Sequence, residues 1–107
     1  MKEFKGDNMN ITKNYDGKEL TVTVEGRVET TSAKELENAI KEEIGNFDSL
    51  ILDFANLEYI SSAGLRVMLI TQKKLKGTKA ELTIKNANEK IKKVFNVTGF
   101  DKIINIE

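Results

Sequence analysis

Two adjacent serines stand where an apolar stretch gives way to a helical pattern. The segment YISSAGLRVML, residues 59–69, places Ser61 and Ser62 just before Gly64. A serine in this position can act as the N-cap of the following helix, its oxygen accepting a hydrogen bond from a backbone N–H one turn ahead. A hydroxyl there can also carry a phosphate, because unpaired N–H groups and the helix dipole stabilise an anion. The pattern leaves open which serine caps the helix and whether either is modified.

The composition excludes most catalytic chemistries. The chain has no histidine and no cysteine, so Ser-His and Cys-His nucleophiles, disulfides and the common zinc sites are ruled out. Neither EGRVETTS nor ISSAGLR supplies a glycine-rich phosphate loop or a base beside the serine. We therefore expect no enzymatic activity, no cofactor and no metal site.

Charge and length restrict the partners and the organisation. Seventeen basic and seventeen acidic residues cancel, which gives no electrostatic reason to expect binding to nucleic acid or to a membrane. The start, MKEFKGDNMN, lacks the apolar core of a signal peptide, and no later run approaches bilayer length. We expect a cytoplasmic protein with one domain spanning residues 1–107.

An antiparallel hairpin is predicted near the start of the chain. The turn signal Asp16-Gly17 separates MNITKNY from KELTVTVEG. In the second segment Leu20, Val22 and Val24 alternate with polar residues, as in a strand with one buried face.

Helical and extended patterns alternate after the hairpin. A first helix is predicted from a capping box of Ser32 and Glu35 to Gly45, a second from the serine junction to Lys76-Gly77, and a third up to Gly99. LILDFA predicts a central strand buried on both faces and KAELTIKN a further strand, whereas KIINIE is either an edge strand or a segment packed over the sheet. The order predicts an α/β fold: a small mixed sheet, first an antiparallel hairpin and then parallel strands, with helices packed against it.

The second helix carries apolar residues on two sides. Leu65, Met68 and Leu69 form one stripe, and Val67 and Ile70 lie opposite, together with Ala63. Either the second side meets a partner, or another helix of the same chain covers it.

At these residues the sequence resembles the STAS domain family, the bacterial anti-sigma factor antagonists. The segments KELTVTVEGRVETTSAKELENAI and LILDFANLEYISSAGLRVML carry the resemblance, which extends over essentially the whole chain. The family signature is an apolar strand ending in Asp, then Asp-Ser-Ser/Thr-Gly-Leu, and Gly64-Leu65 aligns the family's phosphorylated serine with Ser62. The chain departs from the signature at Ser61 and Ala63, and Glu29 stands where the family often has Asp.

The resemblance implies a partner-switching function. The unmodified protein would bind an anti-sigma factor, a serine kinase of the histidine-kinase-like ATPase fold, and so release a sigma factor. Phosphorylation of Ser62 by that kinase would end the binding, and a separate phosphatase would restore it. The implied partner contacts lie in two loops and at the start of the second helix: Glu29, Thr30, Thr31, Asn56, Ser61, Ala63, Gly64, Leu65, Arg66, Val67 and Ile70.

Two alternatives compete with this interpretation. A STAS-like scaffold could bind another protein or a small ligand without being phosphorylated. Asp53, at the end of the central strand, is placed like the phosphoacceptor of response-regulator receivers, but those domains have an acidic pair after their first strand and this chain begins with a hairpin. A simpler role for Asp53 is to satisfy backbone groups near the serine loop.

Overall fold

A mixed β-sheet with helices packed against it forms the protein. The computed structural model describes the backbone of residues 3–6 and all of residues 8–107; Met1, Lys2 and Asp7, which belong to the N-terminal stretch interpreted above, lie outside the described residues. The strands are β1 (Glu3–Gly6), β2 (Met9–Asp16), β3 (Glu19–Val28), β4 (Ser49–Asp53), β5 (Leu57–Ile60), β6 (Glu81–Lys85) and β7 (Asn105–Ile106). The helices are α1 (Ala33–Lys41), α2 (Ser62–Leu75) and α3 (Glu89–Thr98), followed by a short 3-10 turn, Phe100–Lys102.

The sheet has the predicted mixed topology. Its strand order is β1-β2-β3-β4-β6-β7, and β5 pairs with β3 beyond the end of β4. The pairs β1–β2 and β2–β3 are antiparallel, and every other pair is parallel. The predicted hairpin, the central strand β4 and the strand β6 are confirmed. The C-terminal segment, for which two arrangements were open, forms the edge strand β7 beside β6.

One large apolar core joins the sheet to the helices. Leu50, Ile51 and Leu52 of β4 are all buried, as expected for a strand shielded on both faces. The core continues into α1 through Leu36 and into α2 through Met68. Within the described part of the chain, none of the helices has the length and apolar character to cross a membrane.

The start of α1 differs from the predicted capping box. The Ser32 side chain makes no cap bond; its oxygen accepts from the backbone N–H of Glu29 at 3.0 Å. The backbone N–H groups of Ser32 and Ala33 both donate to the Glu29 carbonyl, which closes a tight turn before the helix begins. The Glu35 oxygen Oε2 is consequently buried without a hydrogen-bond partner among the described residues. The capping-box prediction is therefore wrong.

The end of α1 is earlier than predicted because its last turn meets β2. The helix ends at Lys41, four residues before Gly45. Beyond it, Lys13 of β2 is 5% exposed and its ammonium donates to Glu42 at 2.6 Å and to Glu43 at 3.0 Å. Tyr15 donates its hydroxyl to Glu43 at 2.8 Å. We call these four residues the Lys13 cluster.

The Lys13 cluster perturbs two titrations. The hydrogen bond from Lys13 lowers the pKa of Glu43 below its ordinary value, although partial burial opposes the shift. Burial and the bond to Glu43 raise the pKa of Tyr15 to about 12. Both shifts favour the protonation states that hold β2 against the end of α1.

Two strands were not predicted. The β1 strand adds an antiparallel edge beside β2. The β5 strand runs parallel to the end of β3, with a register shift between Gly26 and Arg27. Gly26 is required at this bulge, since its φ is +87° and a Cβ would lie 2.1 Å from the Asn8 carbonyl oxygen. The pairing brings the carboxyl ends of β3 and β5 together beneath the start of α2.

Candidate functional site

The two serines at the start of α2 have different environments. Ser61 is the N-cap: its backbone is extended, and its oxygen accepts from the Gly64 N–H at 3.2 Å. The residue is 6% exposed, and its own N–H donates to the Val28 carbonyl at 2.8 Å. Ser61 therefore fastens the helix to the end of β3. This resolves which of the two serines caps the helix.

Ser62 is the first residue of α2 and is exposed. Its hydroxyl makes no hydrogen bond to the residues that the structure describes, because the capping bond comes from Ser61. The first turn of the helix contains no acidic residue. A hydroxyl in this position is accessible to a kinase, and a phosphate added to it meets the positive end of the helix dipole.

Gly64 allows α2 to lie directly on the sheet. A Cβ at this position would be 2.7 Å from Cγ1 of Ile60 and 2.8 Å from Cγ1 of Val28. Those two residues are paired across β3 and β5. The close approach explains physically why the sequence has glycine after Ser62 and Ala63, and it fixes the height of the serine junction above the sheet.

The β3–α1 loop emerges next to the serine junction. It begins at Glu29, directly after Val28, whose carbonyl is bound to Ser61. Thr30 and Thr31 are exposed, whereas Ser32 is buried and fixes the turn through the Glu29 backbone. The loop and Ser62 thus belong to the same end of the sheet.

A connected cluster of Arg27, Glu29 and Tyr59 borders this loop. The guanidinium carbon of Arg27 lies 4.4 Å from the centroid of the Tyr59 ring, and its Nε donates to Oε1 of Glu29 at 3.0 Å. Arg27 and Tyr59 were not identified from the sequence. The only sequence signal for them is the β-branched and aromatic content of LEYI, which is compatible with a short strand, although its buried and exposed residues do not alternate.

Two further polar residues lie in the turn between β4 and β5. Asn56 is exposed and donates its side-chain amide to Glu25 at 3.1 Å. Asp53 accepts from the Ala55 N–H and from the Asn86 side chain, both at 3.1 Å. Asp53 therefore closes the β4–β5 turn and links it to the end of β6, which agrees with the simpler role considered for it. Asn56 is held at the far end of β5 from Ser62.

The predicted partner-contact residues fall into three groups by exposure. The exposed ones are Thr30, Thr31, Asn56 and Arg66, and the half-buried ones are Glu29, Ala63 and Ile70. The buried ones are Ser61, Gly64, Leu65 and Val67. The buried group packs within the chain and offers almost no side-chain surface to a partner. On the second side of α2, Val67 is buried and Ala63 and Ile70 are half-buried, and α1 packs against the helix.

Comparisons with known proteins identify the family. The profile of the STAS domain matches residues 8–107. A Bordetella bronchiseptica protein provisionally named an anti-sigma factor antagonist, BtrV, is 33% identical over 82 residues, which span 76% of this chain and 71% of that protein. The crystal structure of an anti-sigma factor antagonist from Mycobacterium paratuberculosis has a TM-score of 0.80 at 23% identity, covering 92% of this chain and 84% of that one.

A third relative is known in two states of modification. The anti-sigma factor antagonist SpoIIAA in its unphosphorylated form has a TM-score of 0.74 at 15% identity, covering 91% of this chain and 86% of that one. The phosphorylated form of SpoIIAA from Bacillus has a TM-score of 0.73 at 16% identity, covering 91% of this chain and 90% of that one. The profile match and the Bordetella relative establish that this chain belongs to the STAS domain family, among the anti-sigma factor antagonists.

Proposed function

We propose that this protein binds an anti-sigma factor that is also a serine kinase, thereby releases a sigma factor, and is switched off when that kinase phosphorylates Ser62. A separate phosphatase restores binding. The protein acts in the cytoplasm as one domain, through protein partners and without contact to nucleic acid or membrane. It performs no catalysis of its own.

One observation carries the proposal: the exposed Ser62 hydroxyl makes no hydrogen bond within the described part of the chain, because the buried Ser61 caps the helix. If Ser62 were the cap, phosphorylation would remove the bond that starts α2. With the cap on the neighbouring residue, Ser62 can be modified and the helix start is retained. The Ser62 oxygen can attack the γ-phosphorus of ATP, and its proton passes to a base of the kinase. The bond between the γ-phosphorus and the bridging oxygen breaks, and ADP leaves with that oxygen and the electron pair.

The charge added by phosphorylation explains the loss of binding. Within the chain the dianion is tolerated, since it faces the N–H groups of the first turn of α2. In the complex with the kinase the dianion is unfavourable, because a kinase that phosphorylates Ser62 must hold nucleotide phosphates next to that hydroxyl. Repulsion between these anions and the cost of desolvating the phosphate both act on the complex. The two structures of SpoIIAA support only the first part of this account, since its phosphorylated and unphosphorylated forms match the present fold with nearly equal TM-scores.

Mass measurement after incubation with ATP and a purified kinase tests the proposal. Candidate kinases are the histidine-kinase-like serine kinases encoded in the source genome, and the partner is the one that binds the chain. We expect the wild type to gain the mass of one phosphate and Ser62→Ala to gain none. Thr98→Val is the matched control, because it removes an exposed hydroxyl from the end of α3, outside the predicted partner contacts, and it should be phosphorylated like the wild type.

A binding measurement completes the test. Ser62→Asp should lose affinity for the kinase, whereas Ser62→Ala should keep it. Phosphorylation of Ser62→Ala at another residue, or full binding by both the phosphorylated chain and Ser62→Asp, would contradict the switch. Tight binding without any phosphate transfer would instead favour the unphosphorylated scaffold.

A further inference from the structure

Three partly exposed side chains beside the proposed site contact one another. Arg27 stacks on the Tyr59 ring and donates to Glu29, as described above. The Arg27 side chain is 42% exposed and that of Glu29 38%, and Tyr59 is 36% exposed. We call these three residues the Arg27 cluster. Its side chains are accessible and already held in one arrangement.

The Arg27 cluster is linked to the serine junction through Glu29. Arg27 is paired with Tyr59, and the next pair, Val28 with Ile60, lies beneath the start of α2. Because side chains alternate along a strand, the stacked pair lies on the opposite face of the sheet from Gly64. Glu29 follows Val28 and Ser62 follows Ser61, and a 2.8 Å bond joins Ser61 to Val28. A partner that covers Ser62 and the β3–α1 loop therefore also meets Glu29, the residue through which the cluster joins that loop.

Interface size and composition favour the cluster as part of the partner surface. A stable interface covers about 800 Å² on each partner, or roughly 20 residues, whereas only seven of the predicted partner-contact residues are exposed or half-buried. Arginine and tyrosine are enriched at the positions that contribute most to binding. Side chains that are already ordered also lose less conformational entropy when a complex forms.

Resting on the proposed function, we propose that Tyr59 and Arg27 are positioning residues that hold the Glu29 carboxylate for a cationic side chain of the anti-sigma factor. Arg27 binds only Oε1 of Glu29, which leaves Oε2 for the partner. The Glu29 oxygen that Arg27 does not bind is complementary to a cationic side chain of the partner.

Calorimetric titration with the purified kinase in its ADP-bound form tests the assignment. Glu29→Gln should weaken binding about tenfold. Arg27→Met, which keeps an unbranched stem against the ring but removes the charge, should weaken it about fivefold, since the pair is exposed. Tyr59→Phe keeps the aromatic face and should bind like the wild type, whereas Tyr59→Leu should match Arg27→Met.

The double variant separates positioning from direct contact. If Arg27 acts through Glu29, Arg27→Met should cause no further loss in the Glu29→Gln background. Additive losses would overturn the proposal, as would wild-type affinity of Arg27→Met. Val97→Ala, which changes an exposed residue on α3, is the control and should bind normally. Unfolding midpoints of all variants identify any loss that comes from misfolding.

Failure of this inference is distinguishable from failure of the proposed function. If Ser62→Asp loses binding but the Arg27 and Tyr59 variants do not, the switch stands and the positioning role is refuted. If Ser62→Asp binds like the wild type, the switch is refuted, and the double variant still decides the positioning role. If the wild-type chain binds none of the candidate kinases, both fail.

Discussion

The division of labour between Ser61 and Ser62 predicts opposite effects of two adjacent substitutions. Ser61→Ala removes the N-cap bond and leaves the buried Gly64 N–H without its acceptor. An N-cap is worth typically about 1 kcal/mol, and an unsatisfied buried donor raises that to about 1–2 kcal/mol. Ser62→Ala removes an exposed hydroxyl without a hydrogen bond, so its effect on the free energy of unfolding should stay within about 0.5 kcal/mol.

Urea and thermal unfolding of the two variants measure this difference. The unfolding entropy of a chain of this length is about 0.2 kcal/mol/K, so Ser61→Ala should lower Tm by about 5–10 °C and Ser62→Ala by about 2 °C or less. Ser61→Asp is the matched control, because an aspartate oxygen caps a helix as well as a serine does, and it should retain most of the stability. Equal destabilisation by both alanine variants, or a larger effect at Ser62, would refute the assignment of the cap and with it the free Ser62 hydroxyl.

Other regions of the fold give four further predictions. Gly64→Ala should destabilise by about 1–2 kcal/mol in urea unfolding, because overpacking against Ile60 and Val28 costs about 1–3 kcal/mol and the gain in helix propensity offsets at most about 1 kcal/mol; an unchanged midpoint would contradict the close contact. Lys13→Met should lower the free energy of unfolding by about 1–2 kcal/mol. This is less than the loss from breaking a fully buried ion pair, because the Glu42 and Glu43 carboxylates reach solvent. A more stable variant would show that the ion pairs do not contribute. The lowered pKa of Glu43 adds stability that is fully present above pH 4.5, the ordinary pKa of the group. The free energy of unfolding should therefore fall as the pH drops through the lower folded-state pKa, and it should fall less in Lys13→Met. The raised pKa of Tyr15, from 10.0 to about 12, adds stability that is present below pH 10 and lost as the pH rises towards 12; an alkaline unfolding profile unchanged by Tyr15→Phe would contradict it.

The elements predicted correctly are those whose patterns are determined locally. The β2–β3 turn is defined by Asp16-Gly17 and by alternation on both sides, and α3 ends at Gly99 in the left-handed conformation. The strand LILDFA has a composition that suits only a buried position. In each case the short-range pattern and the tertiary environment favour the same conformation, so the sequence suffices.

The elements predicted wrongly depend on contacts between distant residues. The helical pattern of α1 extends to Gly45, but the helix ends before Glu42 and Glu43. These two residues bind Lys13, about thirty residues earlier in the chain. The predicted capping box satisfies the local spacing rule, yet Ser32 serves the turn that begins at Glu29. The β5 strand is only four residues long and lies inside a motif that reads as a loop. Its pairing with β3 could not be inferred without the bulge at Gly26.

The candidate site shows the same limit. The resemblance predicts Ser62 through the signature residues Gly64-Leu65, and it predicts the Glu29 loop through the segment KELTVTVEGRVETTSAKELENAI. Arg27 and Tyr59 are 32 positions apart in the sequence and become neighbours only through the β3–β5 pairing. Leu65 and Val67 lie on opposite sides of α2, and their burial likewise depends on how the helix packs against α1 and against the sheet. An amphipathic pattern does not specify which of two apolar sides is covered.

The position of Ser62 at the start of α2 allows modification to act on binding without acting on folding. A negative charge at a helix N-terminus contributes about 0.3–1 kcal/mol of stabilisation, so a phosphate on Ser62 should leave the free energy of unfolding unchanged or slightly raised. Phosphorylation then lowers only the affinity for the partner, through desolvation of the phosphate and repulsion in the complex. This separation requires a neighbouring residue that caps the helix in both states. Ser61 meets that requirement because it is buried, bound to Val28 and therefore inaccessible to the same kinase.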